Sequence, residues 1–463
     1  MRRPALHSTS NTDRDAAEPS QTAPSNGARR LGRRDLLAAL GASGAAALAG
    51  CSTRTSRTPI VETPPTAPDA PWPTAHGTPA NTGRASSAGP PDDPTATHWD
   101  LFDYTDDIGD VYSAPVAGDY VYVARVPRGR VDPYRDDDSP GHLFAVDPAS
   151  DDLAWDRSLP ALATGPPALV DGRVVVSTTA GELVAFDAQS GTPRWSRVVG
   201  SPAAPPTTTA TRVFAGDGDG RLHAFAPDGT RVWSATYGPT LEAPFLGTRP
   251  RFRTKPAVGE TYCYAVVSPA SDHVACTLVA YRLRDGGVAW THEFRSGGEH
   301  HPPAVSEGTV YLPESGVLRA LDASTGRERW HHVFGTYRGP STPAVGDSHV
   351  YVAAKNAYAL DRETGRERWR YVNTSTGGDR GYRHPLSESP ALAGDDLYVG
   401  IGCLDAATGD ARWGEFGNDP ESDAQYYGPT ERGTPAQSGP AVADGALYVT
   451  MRYGRLYRFG GGR

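Results

Sequence analysis

The sequence predicts an all-β fold: an eight-bladed β-propeller of four-stranded antiparallel blades, with seven blades as the alternative. Three observations predict it. A line of the form A-x-D-x-x-T-G-x-x-x-W recurs along the chain, clearest at Ala320–Trp330 and Ala359–Trp369. Eight tryptophans, Trp99, Trp155, Trp195, Trp233, Trp290, Trp330, Trp369 and Trp413, follow one another, most at spacings of 38 to 44 residues. That is the length of one four-stranded blade. A second line opens each unit with a proline, two small or apolar residues, a Gly/Asp turn and a β-rich run. Its prolines are Pro115, Pro167, Pro206, Pro256, Pro303, Pro343, Pro390 and Pro440.

Each part of the recurring line has a physical reason. The apolar pair ends a strand. Asp and Thr-Gly build a turn, Asp accepting backbone N–H bonds and Gly taking positive φ. Trp opens the outer strand and offers a large surface to bury between neighbouring sheets. Weaker copies run Ala145–Trp155, with Asp151 in the Gly position, Ala185–Trp195, Ala224–Trp233, Ala280–Trp290 and Cys403–Trp413. The last proline unit ends before any Trp, and Trp99 has no unit in front of it. One shared blade resolves both: 97–102 supplies its outer strand and 438–460 its inner three. Such closure leaves no unpaired edge at the seam. The long spacings, 99 to 155 and 233 to 290, carry insertions at 128–141, 237–253 and around Pro269.

Ahead of the repeats the chain reads as an address. Residues 1–50 form a disordered polar stretch and then a signal. Arg33 and Arg34 precede an apolar, Ala-rich run too short to span a bilayer. The pair resembles a twin-arginine export signal, and Leu48-Ala49-Gly50-Cys51 resembles a lipobox with Cys51 as the lipidated residue. Residues 51–71 form a Ser/Thr/Pro-rich tether, 72–96 a lead-in, and 97–460 the propeller. The expected location is the outer face of the cytoplasmic membrane, in the cell envelope.

Composition narrows the partners. The chain carries 45 basic and 54 acidic residues. With the seven Arg and four acids of 1–51 removed, 38 and 50 remain, a net of -12. Nucleic acid needs a basic footprint and is not an expected partner. Lys occurs only at Lys255 and Lys355; every other basic side chain in the Lys and Arg count is Arg. The propeller is expected to be monomeric.

The A-x-D-x-x-T-G-x-x-x-W line resembles the tryptophan-docking motif of the pyrroloquinoline quinone (PQQ) repeat family, over about 97–460. Trp72-Pro73-Thr74-Ala75-His76-Gly77, with Gly83, resembles the lead-in that precedes such propellers. The resemblance implies one of two classes. One is the quinoprotein dehydrogenases, which hold PQQ and calcium. The other is cofactor-free scaffolds such as the B-subunit lipoprotein of the outer-membrane barrel assembly machine. The enzymes carry a vicinal disulfide and large inserts; this chain has no Cys-Cys pair and no C-x-x-C-H haem motif. The expectation is therefore no catalytic residue, no cofactor and a protein partner in the envelope. A reduced PQQ-dependent dehydrogenase with calcium is the alternative. A carbohydrate-binding propeller using Tyr426 and Tyr427 is a third.

Other constellations are weaker. Asp217-Gly218-Asp219-Gly220 reads as a hairpin turn rather than a calcium loop. His292, His300, His301, His331 and His332 show no metal-ligand spacing, and Asp136–Asp138 reads as a solvated loop tip. No G-x-S-x-G elbow is present. In a symmetric hairpin turning at Pro269-Ala270, Cys263 faces Cys276, so these two are expected to form a disulfide, with two free buried thiols as the alternative. Cys403 sits in a small-residue position as a buried thiol. The polar residues just before the proline starts, Lys255, His301, Thr342, Glu388 and Ser438, are expected along one rim of the channel.

Overall fold

The computed structural model describes residues 64–101, 111–126, 141–150, 152–200, 203–237, 251–252, 254–268, 275–295, 300–335, 339–372, 388–414, 439–451 and 455–461. The chain divides into two compact units, 1–62 and 63–463. The first, with Arg33, Arg34 and Cys51, lies outside the described residues, as do Asp136–Asp138, Tyr426, Tyr427 and Ser438.

The second unit is an eight-bladed propeller: eight antiparallel sheets, each a meander of four main strands. We number the blades along the chain: blade 1 (111–159), blade 2 (168–198), blade 3 (207–236), blade 4 (251–295), blade 5 (304–333), blade 6 (344–371), blade 7 (391–413) and blade 8 (441–460 with 95–100). Strands within a blade are lettered A to D from the axis outward. Blade 7, whose middle strands were the reason for considering seven, keeps all four: Ala391–Ala393, Asp396–Val399, Gly402–Asp405 and Ala411–Trp413. Blade 8 closes as expected, with Thr95 paired to Gly460 and Asp100 to Arg455.

Burial follows from this stacking. Middle strands are covered on both faces by neighbouring blades, so Val174–Val176 and Ala357–Leu360 are buried without alternation. Outer strands alternate, as in Glu328–Val333, because one face meets water. The motif Ala lies directly across from the Trp of the same blade: Ala320 opposite Trp330, Ala359 opposite Trp369, and Cys403 opposite Trp413. A small side chain there leaves the indole free to turn toward the next blade. Trp155, Trp195, Trp233, Trp290, Trp330 and Trp369 each donate Nε1–H to a carbonyl in the following blade's C–D turn, at 2.7 to 3.0 Å. Trp99, at the closing blade, is buried with Nε1 unpartnered.

The C–D turn performs the role expected of it. Asp322 Oδ1 accepts the N–H groups of Ser324 and Thr325, and its Oδ2 pairs with Arg329. Gly326 has φ +71, and a Cβ there would lie 2.6 Å from the Trp290 ring.

The two faces of the ring differ. A–B turns are two or three residues long and C–D turns five or six. Both lie on one face, because strands in a meander alternate direction. The B–C and D–A connections emerge on the other, and they include 127–140, 237–250, 372–390 and 414–440.

The expected Cys263–Cys276 disulfide is not formed: both cysteines are free and buried. The register pairs Cys263 with Tyr281, five residues from Cys276 along the strand. The hairpin is therefore centred near residue 272 rather than at Pro269-Ala270. An odd offset also places the two thiols on opposite faces of the sheet. Cys263 packs with Phe252 and Tyr281, and Cys276 with Tyr264 and Leu278.

Candidate functional site

The inner A strands would present bare edges to the channel, but a strap made by the lead-in covers them. The N–H two residues after the starting proline donates to a strap carbonyl in six blades. Ala117 bonds Trp72 O, Leu169 bonds Pro73 O, Val258 bonds Pro79 O, Val305 bonds Ala80 O, Val345 bonds Thr82 O and Leu392 bonds Gly83 O. All are 2.7 to 3.0 Å long. At its two ends the strap meets A–B turns, Thr66 O accepting from Ala210 of blade 3 and Ala88 O from Gly445 of blade 8. The strap thus touches every blade and lies on the short-turn side. It begins at least as early as Thr66, within the segment expected to be tether, because these carbonyls are already paired to the rim.

Between Thr74 and Asn81 the strap dips toward the starts of the inner strands. Asn81, fully buried, donates Nδ2–H to Pro303 O at 2.9 Å and Pro256 O at 3.3 Å. Trp72 is 1% exposed, and Gly77 folds over its ring with φ +76. His76 and Asn81 have φ of 64° and 57°, the left-handed region that non-glycine residues seldom occupy.

Lys255 meets this dip from blade 4. It is 3% exposed, and its Nζ donates to Thr74 Oγ1 at 2.7 Å and to Ala75 O. No carboxylate among the described residues pairs with it. An unpaired buried ammonium costs on the order of several kcal/mol, so such groups shed the proton. Burial indeed pushes the Lys255 amine well below the ordinary lysine range. His76 is pushed well below the usual imidazole range, by burial first, then by Lys255 and His301. The strap, blade 4 and blade 5 therefore bring three basic groups together at the starts of the inner strands, a meeting place termed the channel floor. His76 and His301 keep partial exposure there.

Of the five expected rim residues, the structure brings together Lys255 and His301. Thr342 is buried, its hydroxyl donating to Pro302 O at 2.9 Å. Glu388 is half-buried ahead of blade 7. From sequence, His76 was legible only as part of the lead-in, and Asn81 was not singled out. Their signal was present in the lead-in, as polar residues beside the glycines of a segment too short to fold alone.

The remaining constellations are structural. Asp217 Oδ1 accepts from Asp219 N and Arg221 N at 2.8 Å and closes the expected hairpin turn. Its Oδ2 lies 3.0 Å from His223 Nε2, both side chains being buried. Cys403 sits opposite Trp413, and burial raises its thiol pKa. No three His, Cys, Asp or Glu side chains among the described residues converge as metal ligands. Calcium requires six to eight oxygen ligands. Among the described residues the floor offers three oxygens, Thr74 Oγ1, Ala75 O and Asn81 Oδ1, beside amine and imidazole nitrogen, so its donor set does not fit a calcium-bound quinone.

Comparison with known proteins agrees with the architecture. The family model described as outer membrane protein assembly factor BamB matches residues 139–268 and 275–415. The chain is 26% identical over 224 residues to the outer membrane protein assembly factor BamB of Moranella endobia, covering 47% of this chain and 55% of that protein. It spans about half the length of the curated relatives of that name that it matches. It is also 32% identical over 131 residues to the serine/threonine-protein kinase AfsK of Streptomyces griseus, covering 24% of this chain and 15% of that one. Among solved structures, the quinohemoprotein alcohol dehydrogenase from Comamonas testosteroni aligns with a TM-score of 0.60 at 14% identity, covering 85% of this chain and 81% of that one. That likeness is one of fold.

Proposed function

We propose, from the premise that this chain belongs to the family described as outer membrane protein assembly factor BamB, that it is a non-catalytic, protein-binding scaffold of the cell envelope. The observation that carries this reading is the asymmetry of the ring. A strap fastened to every blade runs along one face, and the long connections leave from the other. A rigid ring bearing long connections on one side is suited to be a binding platform. A stretch of this chain matches part of a protein named as a kinase, and its fold is shared with a protein named as an alcohol dehydrogenase. The fold therefore carries no single activity, and what transfers to this chain is protein binding. Export through Arg33 and Arg34 and lipidation at Cys51 would hold the scaffold at the membrane surface.

The test is site-specific photo-cross-linking in the native host. A photoreactive residue at Ala180 or Lys355, on B–C turns, is expected to capture a discrete envelope protein; one at Ser324 or Glu363, on C–D turns, is not. Equal capture from both faces overturns the one-sided platform. Saturable PQQ binding with calcium, near one per chain, overturns the non-catalytic reading.

A further inference from the structure

We propose that Lys255 and His76 form an anion site on the channel floor that takes a carboxylate. The inference rests on the protein-binding reading and names the chemistry that the channel accepts from a partner. An ammonium has three N–H donors and a neutral amine has two. Two acceptors, Thr74 Oγ1 and Ala75 O, satisfy a neutral Lys255. A third donor, present only on the ammonium, has no acceptor among the described residues. A carboxylate entering the floor supplies that acceptor and the missing counter-charge together. Lys255 then takes one proton from solution, and the new bond is charge-assisted.

Two further observations point the same way. Arg is the default base of this chain, and lysine appears only at 255 and 355. Arg cannot deprotonate and would be a permanent buried charge; lysine can be neutral when the floor is empty and charged when it is filled. His76 is held with φ at 64°, a strained conformation for histidine that places it beside Lys255. The charged or titratable groups acting on His76 are Lys255 and His301; against Lys255 the strap itself contributes the neutral Thr74 and Ala75. A role confined to anchoring the strap needs the two bonds to Thr74 and Ala75 but neither the spare donor nor the strained histidine.

The carboxylate has two sources: an acidic segment of a protein, or a free small acid. Calorimetric titration of the whole chain at pH 7 with succinate and with a hexaglutamate peptide separates them, hexalysine serving as control. Each titration is run in two buffers of different ionisation enthalpy. Saturable one-site binding is expected, with uptake of about one proton per carboxylate bound. Hexaglutamate binding about tenfold tighter than succinate assigns a protein segment. Succinate binding as tightly as the peptide assigns a free acid. Lys255→Met is expected to abolish the binding while circular dichroism stays unchanged. Lys255→Arg is expected to bind without proton uptake. If Lys255→Met does not fold, His76→Asn, which tolerates the left-handed conformation, is read instead and is expected to weaken binding about tenfold. No saturable heat with either acid, or binding unaltered in Lys255→Met or, in its place, His76→Asn, overturns the site. Cross-linking from Ala180 or Lys355 would survive that failure, so the scaffold reading is tested separately.

Discussion

Trp290 and Gly326 form one joint between blades 4 and 5. The indole donates to Ala323 O at 3.0 Å, and the glycine, at φ +71, lies flat against the ring. The same joint recurs as Trp155–Gly191, Trp195–Gly229, Trp233–Gly286, Trp330–Gly365 and Trp369–Gly409. The glycine is thus required twice, for backbone conformation and for clearance.

Gly326→Ala is accordingly expected to destabilise the propeller by about 2 to 4 kcal/mol, combining left-handed strain with overpacking against Trp290. Trp330→Ala should cost about 3 to 5 kcal/mol through the cavity it leaves. Trp330→Phe, which keeps most of the surface and loses the bond to Arg362 O, should cost less. Chemical denaturation of the three variants checks the order.

The strap makes a second stability prediction. A Cβ on Gly83, where φ is +58, would lie 2.8 Å from Pro390 O, a backbone atom that cannot swing aside. Gly83→Ala is expected to lower the melting temperature and to speed hydrogen exchange at Val345 and Leu392, whose amides the strap holds. Slow exchange retained at both positions would show that the rim does not need the strap.

Thiol chemistry tests the hairpin register. Cys263, Cys276 and Cys403 are free and buried, and burial pushes the thiols of Cys263 and Cys403 well up. A chain cut after Cys51 should react with none of its thiols when native at pH 8 and with three when unfolded, without reductant. One thiol on unfolding would instead restore the disulfide.

Acid stability should depend on the turn carboxylates. Hydrogen bonding to Arg194 holds Asp187, and to Arg412 holds Asp405, at a pKa of about 2. A depressed carboxylate contributes stability above its unfolded value, about 3.9, and loses it as pH falls through the folded value. Both side chains are about a quarter exposed. After solvent screening, each is expected to contribute about 1 to 2 kcal/mol at neutral pH. Asp187→Asn should lose this at pH 7 and show a shallower decline between pH 4 and pH 2.

The ring was legible in the sequence because each blade repeats the same punctuation, and a misread blade is corrected by its neighbours. Pro343, Asp361, Gly365 and Trp369 mark one blade at their fixed offsets. The shared blade followed from the unmatched Trp99. Nothing repeated at Cys263 and Cys276, where register depended on a single connection, and Pro269-Ala270 resembled a turn without being its centre. The floor was partly legible: Lys255 and His301 were expected on one rim because they precede Pro256 and Pro303. The burial of Lys255 depended on Thr74 and Ala75, more than 175 residues away in the chain, and no local pattern reports that meeting.

The strap also acts as a ruler. Eight similar blades, six of whose interfaces repeat one docking joint, carry little in those interfaces to set their number, since one more or one fewer could dock in the same way. From Pro79 to Ala88 the strap advances through blades 4, 5, 6, 7 and 8, and one irregular peptide must reach each rim amide in turn. A ring of seven or nine would carry the rim amides out of step with the strap carbonyls. The count of the assembly is in this way written into a segment that belongs to none of its repeats.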